Sequence, residues 1–178
     1  MTEYELIHGC LKKDIKCQHM LFKAYAGKMM TVCLRYSKDK MEAEDILQEG
    51  FIRVFQYMHQ FKFEGSFEGW LRRIIVNTAL KSVSKKKISF VETDAFREDS
   101  RSLPPYAYSN LGADDILKLI NRLPEGYRLV FNLHIIEGFS HEEIAQTLKI
   151  QAATSRSQLV KARKMLQNQI TELQKIAV

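Results

Sequence analysis

Apolar side chains recur at steps of three and four residues in two long blocks of this chain, and the rhythm is lost between residues 88 and 112. A period near 3.6 buries one stripe of a helix, so both blocks are committed to helices. In the first block Cys17, Leu21, Ala24, Tyr25, Met29, Val32, Cys33 and Tyr36 follow Asp14 along one face. A second helix, near Lys40 to Gln60, opens on Asp39 as N-cap with Glu42 three residues on, and turns Ala43, Ile46, Leu47, Phe51, Val54, Phe55 and Met58 inward. A third, opened by Ser66, carries Phe67, Leu71, Ile74, Ile75 and Thr78 inward. Helices joined by such short connections pack as a compact bundle.

The interval "ISFVETDAFREDSRSLPPYAYSNLG" has clustered Ser, Asp and Asn, a Pro104-Pro105 pair and no sustained helical period, which predicts a flexible linker. Its charges, Glu92, Asp94, Glu98 and Asp99 against Arg97 and Arg101, suggest no site. Periodicity returns with Ile116, Leu117, Ile120 and Leu123. Pro124 is then expected as a first helical residue, with Tyr127, Val130, Phe131 and His134 inward and Gly138 as the stop. With no strand pair, internal repeat or glycine-rich phosphate loop, the expected fold is all-α: two small helical domains, 1–88 and 113–178, joined by a flexible linker, 89–112.

The second block contains "GFSHEEIAQTLKI", where Ser140 and Glu143 make an S-x-x-E capping box and Phe139 and Ile144 hold the staple positions. The helix His141 to Leu148 is too short to stand alone, so Ile144, Ala145 and Leu148 must pack on neighbours. After a Lys149-Ile150 corner, Leu159, Ala162, Leu166, Ile170 and Leu173 give a longer helix its inner stripe. Thr154, Arg156, Ser157, Gln158, Lys161, Arg163 and Lys164 are read as its polar, basic side. This is a helix-turn-helix, although Lys149 stands where such corners often have Gly, and Gln151 where an N-capping Ser or Asp is usual. No carboxylate occurs between Glu143 and Glu172, as a helix passing between phosphate rows requires. Arg156 and Gln158 have the groups that read guanine and adenine edges, and Lys161, Arg163 and Lys164 suit phosphates.

Charge elsewhere is equally uneven. The formal net charge is +6, with pI near 9.2, which favours a polyanionic partner. Yet Glu42, Glu44, Asp45, Gln48 and Glu49 crowd the outer side of the second helix, where a basic helical partner would fit. On the third helix Trp70, Arg73, Asn77, Lys81 and Ser84 share a face, an arrangement suited to a single strand whose bases stack on aromatics while cations hold the backbone. Lys85, Lys86 and Lys87 extend it toward phosphates. Cys10, Cys17 and Cys33 are odd in number and lack metal-ligand spacing, so reduced thiols are expected, with no metal site, no cofactor and no catalytic residue. No stretch has the length of apolar residues that membrane insertion needs, and a cytoplasmic protein is expected.

Three stretches, "AEDILQEGFIRVF" (Ala43 to Phe55), "FEGSFEGWLRRIIVNTALKSV" (Phe63 to Val83) and "LPEGYRLVFNLHIIEGFSHEEIAQTLKI" (Leu123 to Ile150), in this order around a linker, resemble the extracytoplasmic-function group of bacterial sigma factors. The likeness covers nearly the whole chain. It implies that 1–88 is region two, which binds core RNA polymerase and melts the minus-ten element, and that 113–178 is region four, which reads the minus-thirty-five element. Glu44, Asp45, Gln48 and Glu49 would then dock on the beta-prime clamp helices, with further contacts to the beta subunit. Trp70, Arg73, Asn77 and Lys81 would hold the unpaired strand, and the loop Phe61 to Ser66, with Asn77, would capture a flipped base. Lys81 stands where some members have Asn, which leaves base preference open. The resemblance also implies an anti-sigma factor as partner, a linker threaded through polymerase, and a leading helix, Tyr4 to Cys10, that only covers the bundle. The residues alone leave open a stand-alone helix-turn-helix regulator and, more distantly, a small nuclease.

Overall fold

The computed structural model describes residues 1–85 and 112–176, all of whose regular elements are helical. The chain divides into two compact units, Met1–Lys87 and Ile88–Val178. The expected linker charges and Lys86 and Lys87 lie outside the described residues, as do the side chains of Ser84 and Lys85.

The first unit is built from α1 (Glu3–Leu11), α2 (Ile15–Leu34), α3 (Lys40–Tyr57) and α4 (Phe67–Lys85), with a single 3-10 turn at Met58–Gln60. Each start is fixed by a side chain. Thr2 and Glu5 form a reciprocal capping box on α1, Asp14 accepts from Lys16 and Cys17 N–H on α2, and Asp39 accepts from Glu42 N–H on α3. Ser66 Oγ accepts from Gly69 N–H at α4. The core, where α2, α3 and α4 pack mutually, is closed by Leu21, Met29, Cys33, Tyr36, Val54, Leu71 and Ile75. Gly50 is required where α3 crosses α4, because a Cβ there would lie 2.3 Å from the Cδ1 of fully buried Ile75. All three cysteines are buried free thiols. Burial, then Cys17 and Asp14, pushes the Cys10 thiol up to about 11, and burial pushes Cys33 up to about 12, so neither is a ready nucleophile.

The second unit contains α5 (Ala113–Asn121), α6 (Glu125–Phe131), α7 (His141–Leu148) and α8 (Ala152–Ile176). Its core is Leu119, Ile120, Leu123, Leu129, Val130, Leu133, Ile144, Leu159 and Ala162. Pro124 sits at the N-cap of α6, one residue earlier than expected. The periodic helix expected to run to Gly138 instead widens into a π-helical turn, Asn132–Ile136, before Gly138 turns the chain with φ 75°. Such widenings insert a residue and re-aim the side chains around them. Ala24 and Ile116, expected on inner stripes, are both exposed; burial in α5 begins only at Leu119.

Candidate functional site

The acidic surface follows from the α3 stripe. With Ala43, Ile46, Leu47 and Phe51 buried, the intervening Glu44, Asp45, Gln48 and Glu49 are all exposed. Glu44 lies 3.7 Å from Lys40 and Glu49 lies 2.7 Å from Arg53, each one helical turn away. Asp45 has no cation within salt-bridge distance among the described residues. It borders a cleft of about 300 Å³ shared with Glu49, Arg53, Thr78 and Lys81, so the acidic helix and the basic helix α4 meet along one groove.

On α4, Arg73, Asn77 and Lys81 are exposed, and no ion pair engages them among the described residues. Trp70 differs from its expected neighbours. It is half-buried, with its ring 5.4 Å from Phe61 and 5.7 Å from Phe67, so it presents an edge rather than a whole face. The preceding loop holds Phe63 at φ 58° and Gly65 at φ 99°.

In the second unit the helix-turn-helix forms as expected. Ser140 and Glu143 complete the capping box, with distances of 3.1 Å and 2.8 Å. Lys149 closes α7 in the left-handed conformation, φ 57° and ψ 45°, which is where glycine is usually used. On α8, Arg156, Ser157, Lys161, Arg163 and Lys164 are exposed and Thr154 is half-buried. Gln158 corrects the sequence reading. It is only 8% exposed, because it lies three residues after buried Ser155 and four before buried Ala162, on the inner stripe of the helix. A buried amide cannot reach a base edge; its Oε1 has no hydrogen-bond partner among the described residues.

Contacts that the sequence did not suggest tie the two helices together. Arg156 donates to the Glu142 carboxylate at 2.7 Å, while Lys161, Arg163 and Lys164 have no such partner among the described residues. His141 Nδ1 and Ser155 Oγ are hydrogen-bonded at 2.9 Å. The His141 ring stacks on His134, 4.3 Å between centroids and 14° between planes. His134 Nδ1 donates to the Phe139 carbonyl at 2.8 Å, and the π-helical turn is what brings its ring there. Burial, then His134 and Arg156, pulls the His141 pKa down against a smaller opposing pull from Glu142. No periodicity signals these pairs, since they depend on how α7 crosses α8.

Among the described residues, no helix is long and apolar enough to cross a membrane. Residues 21–88 match the Sigma-70 region 2 model and residues 113–166 match the Sigma-70, region 4 model. The chain is 33% identical over 160 residues to the ECF RNA polymerase sigma factor SigE of Mycolicibacterium smegmatis, covering 85% of this chain and 61% of that relative's length. It is 26% identical over 185 residues to the ECF RNA polymerase sigma-E factor of Haemophilus influenzae, covering 97% of each. In fold it is similar to the sigma factor RpoE, solved with the anti-sigma factor NepR from Bartonella quintana, with a TM-score of 0.52, 22% identity, and coverage of 92% of this chain and 100% of that one. It is also similar in fold to CnrH, solved with the cytosolic domain of CnrY, at a TM-score of 0.51, 18% identity, and coverage of 94% and 96%. Two sigma modules in order on one chain, each matching its own model, place this protein in the sigma-70 family as an extracytoplasmic-function sigma factor.

Proposed function

We propose that the protein binds core RNA polymerase in the cytoplasm and directs it to a specific class of promoters, contributing binding energy rather than catalysis. Residues 1–88 act as region two and 113–178 as region four, with 89–112 as the tether. Glu44, Asp45, Gln48 and Glu49 dock on the beta-prime clamp helices, and the beta subunit completes the attachment. Trp70, Arg73, Asn77 and Lys81 hold the unpaired minus-ten strand. Thr154, Arg156, Ser157, Lys161, Arg163 and Lys164 meet the minus-thirty-five duplex. An anti-sigma factor holds the protein inactive until it is needed, as family membership suggests.

The observation that carries this reading is the pairing, inside one bundle, of an acidic α3 face with a basic α4 face along a common groove. A regulator that needs only duplex DNA has no use for either face, and the region 2 match counts against that alternative. Binding energy suffices for melting when each captured base contributes about 1–3 kcal/mol of stacking. Run-off transcription with core polymerase on genomic fragments is the test. Discrete transcripts that depend on this chain are expected, and core polymerase that ignores it, or binds it and opens no template, would defeat the proposal.

A further inference from the structure

We infer that Tyr4 and His8 of α1, together with Phe63 of the loop before α4, form a stacking site for an unpaired nucleobase. This extends the strand-holding surface beyond α4, and it rests on the reading of the protein as a promoter-opening factor. Covering the bundle, the task expected of α1, falls to Leu6, Ile7 and Cys10, which are buried. Tyr4 is not needed for it and stays 60% exposed. Its ring is nonetheless held in place, 4.0 Å from His8 and 5.5 Å from Phe63, with His8 and Phe63 5.3 Å apart. His8 Nδ1 donates to the Tyr4 carbonyl at 3.1 Å, and the Tyr25 hydroxyl donates to the Glu3 carboxylate, fastening α1 to α2.

Phe63 supplies the second line of argument. A bulky residue at φ 58° is a steric outlier, and strain of this kind persists where surrounding structure imposes it, commonly at ligand-holding sites. Here the strained residue leaves its ring 43% exposed, so neither backbone comfort nor full burial explains the conformation. The ring is continuous with the α4 face: Phe63 lies 5.0 Å from Phe61, and Phe61 lies 5.4 Å from Trp70. Lys62 and Glu64 flank Phe63, both exposed, so the local charge cancels. A neutral aromatic surface of this kind recognises the π-face of a base, while Arg73 and Lys81 attract the backbone.

The test uses holoenzyme assembled from the full chain and core polymerase. The probes are a promoter identified by run-off transcription, prepared as a matched duplex, and a fork-junction fragment with an unpaired non-template strand. Tyr4→Ala is expected to weaken fork binding about fivefold or more, the lower bound for one lost base stack. Duplex binding and core affinity should not change, and Tyr4→Phe should bind like the wild type. Phe63→Gly, which removes the ring while relaxing the left-handed backbone, should give the same selective loss. Abasic substitution along the unpaired strand should reveal one position where the wild type loses that factor and Tyr4→Ala loses nothing more. Fork binding equal to wild type in both variants, or equal losses on fork and duplex, overturns the inference and leaves the sigma reading intact. A wild-type holoenzyme that fails to open the promoter removes that reading and this inference with it.

Discussion

The α3 face and the α8 face present opposite charge from differently supported helices. α3 is gripped by α2 on one side and α4 on the other, with buried residues from Ala43 to Val54. α8 is buried only through its first half, at Ser155, Gln158, Leu159 and Ala162; Leu166, Ile170 and Leu173 are half-buried. Both faces satisfy some of their charge locally, Glu44 and Glu49 along α3, and Arg156 across to α7. These pairs are exposed and worth about 0–1 kcal/mol each, so a docking partner displaces them cheaply. Each face therefore attracts its partner through the charges left open: Asp45 on α3, and Lys161, Arg163 and Lys164 on α8. A rigid acidic surface suits a protein partner of fixed shape, and a basic helix supported at one end suits a groove of DNA.

The strongest way to break this contrast is to reverse the open charge on α3. Asp45→Lys is expected to weaken core polymerase binding by roughly 100-fold, since a like charge facing a basic partner costs several kcal/mol. Binding of the variant to minus-thirty-five duplex should be unchanged. Intact holoenzyme formation, measured by co-migration with core, would remove the assigned face. Next in size is Arg156→Ala, expected to lower selectivity for the upstream element roughly tenfold, the effect of one lost base contact. Core affinity should stay at the wild-type value, and a parallel drop in both would contradict the division of labour.

Two smaller effects sharpen the description of the region-four helices. Lys149→Gly relieves a left-handed backbone that costs an L-residue about 1 kcal/mol, so urea denaturation should show a gain of that order. Duplex binding should become less salt-dependent if Lys149 lies against a phosphate. The smallest effect is that of pH. Because folding lowers the His141 pKa, the unfolded chain binds the extra proton more readily, and the neutral ring's contribution is present above the ordinary histidine value of about 6.5. Stability of the second unit should fall as pH drops below that value and level off once the folded-state pKa is passed. His141→Asn should flatten the profile between pH 7 and 5, and an unaltered slope would assign the dependence to another group.

Much of the fold was legible because helices report themselves through period and caps. Asp14, Asp39, Ser66 and Ser140 all cap the helices at whose starts they stand. The exposed acidic residues of α3 followed from the stripe they interrupt. Gln158 was legible too, by its spacing from Ser155 and Ala162, yet its polarity was allowed to outweigh its position. Trp70 was half right: it lies beside the polar face, but neighbouring phenylalanines take most of its surface. Other features could not be read from the chain. The π-helical turn leaves the sequence period unbroken, and the pairing of Arg156 with Glu142 or His134 with His141 depends on crossing angles that no single helix encodes. The left-handed Phe63 and Lys149 contradict local preference, so only tertiary contact reveals them.

The missing side chain at Gly50 has a further consequence. With nothing between the backbone of α3 and the Ile75 side chain of α4, the two helices cannot slide or separate independently. Tension applied to the acidic helix by an attached transcription machine would reach the strand-facing helix directly, as through one solid lever. An alanine at that position would place a shim in the joint, and a protein altered in this way could still attach while transmitting attachment poorly to the opening of DNA.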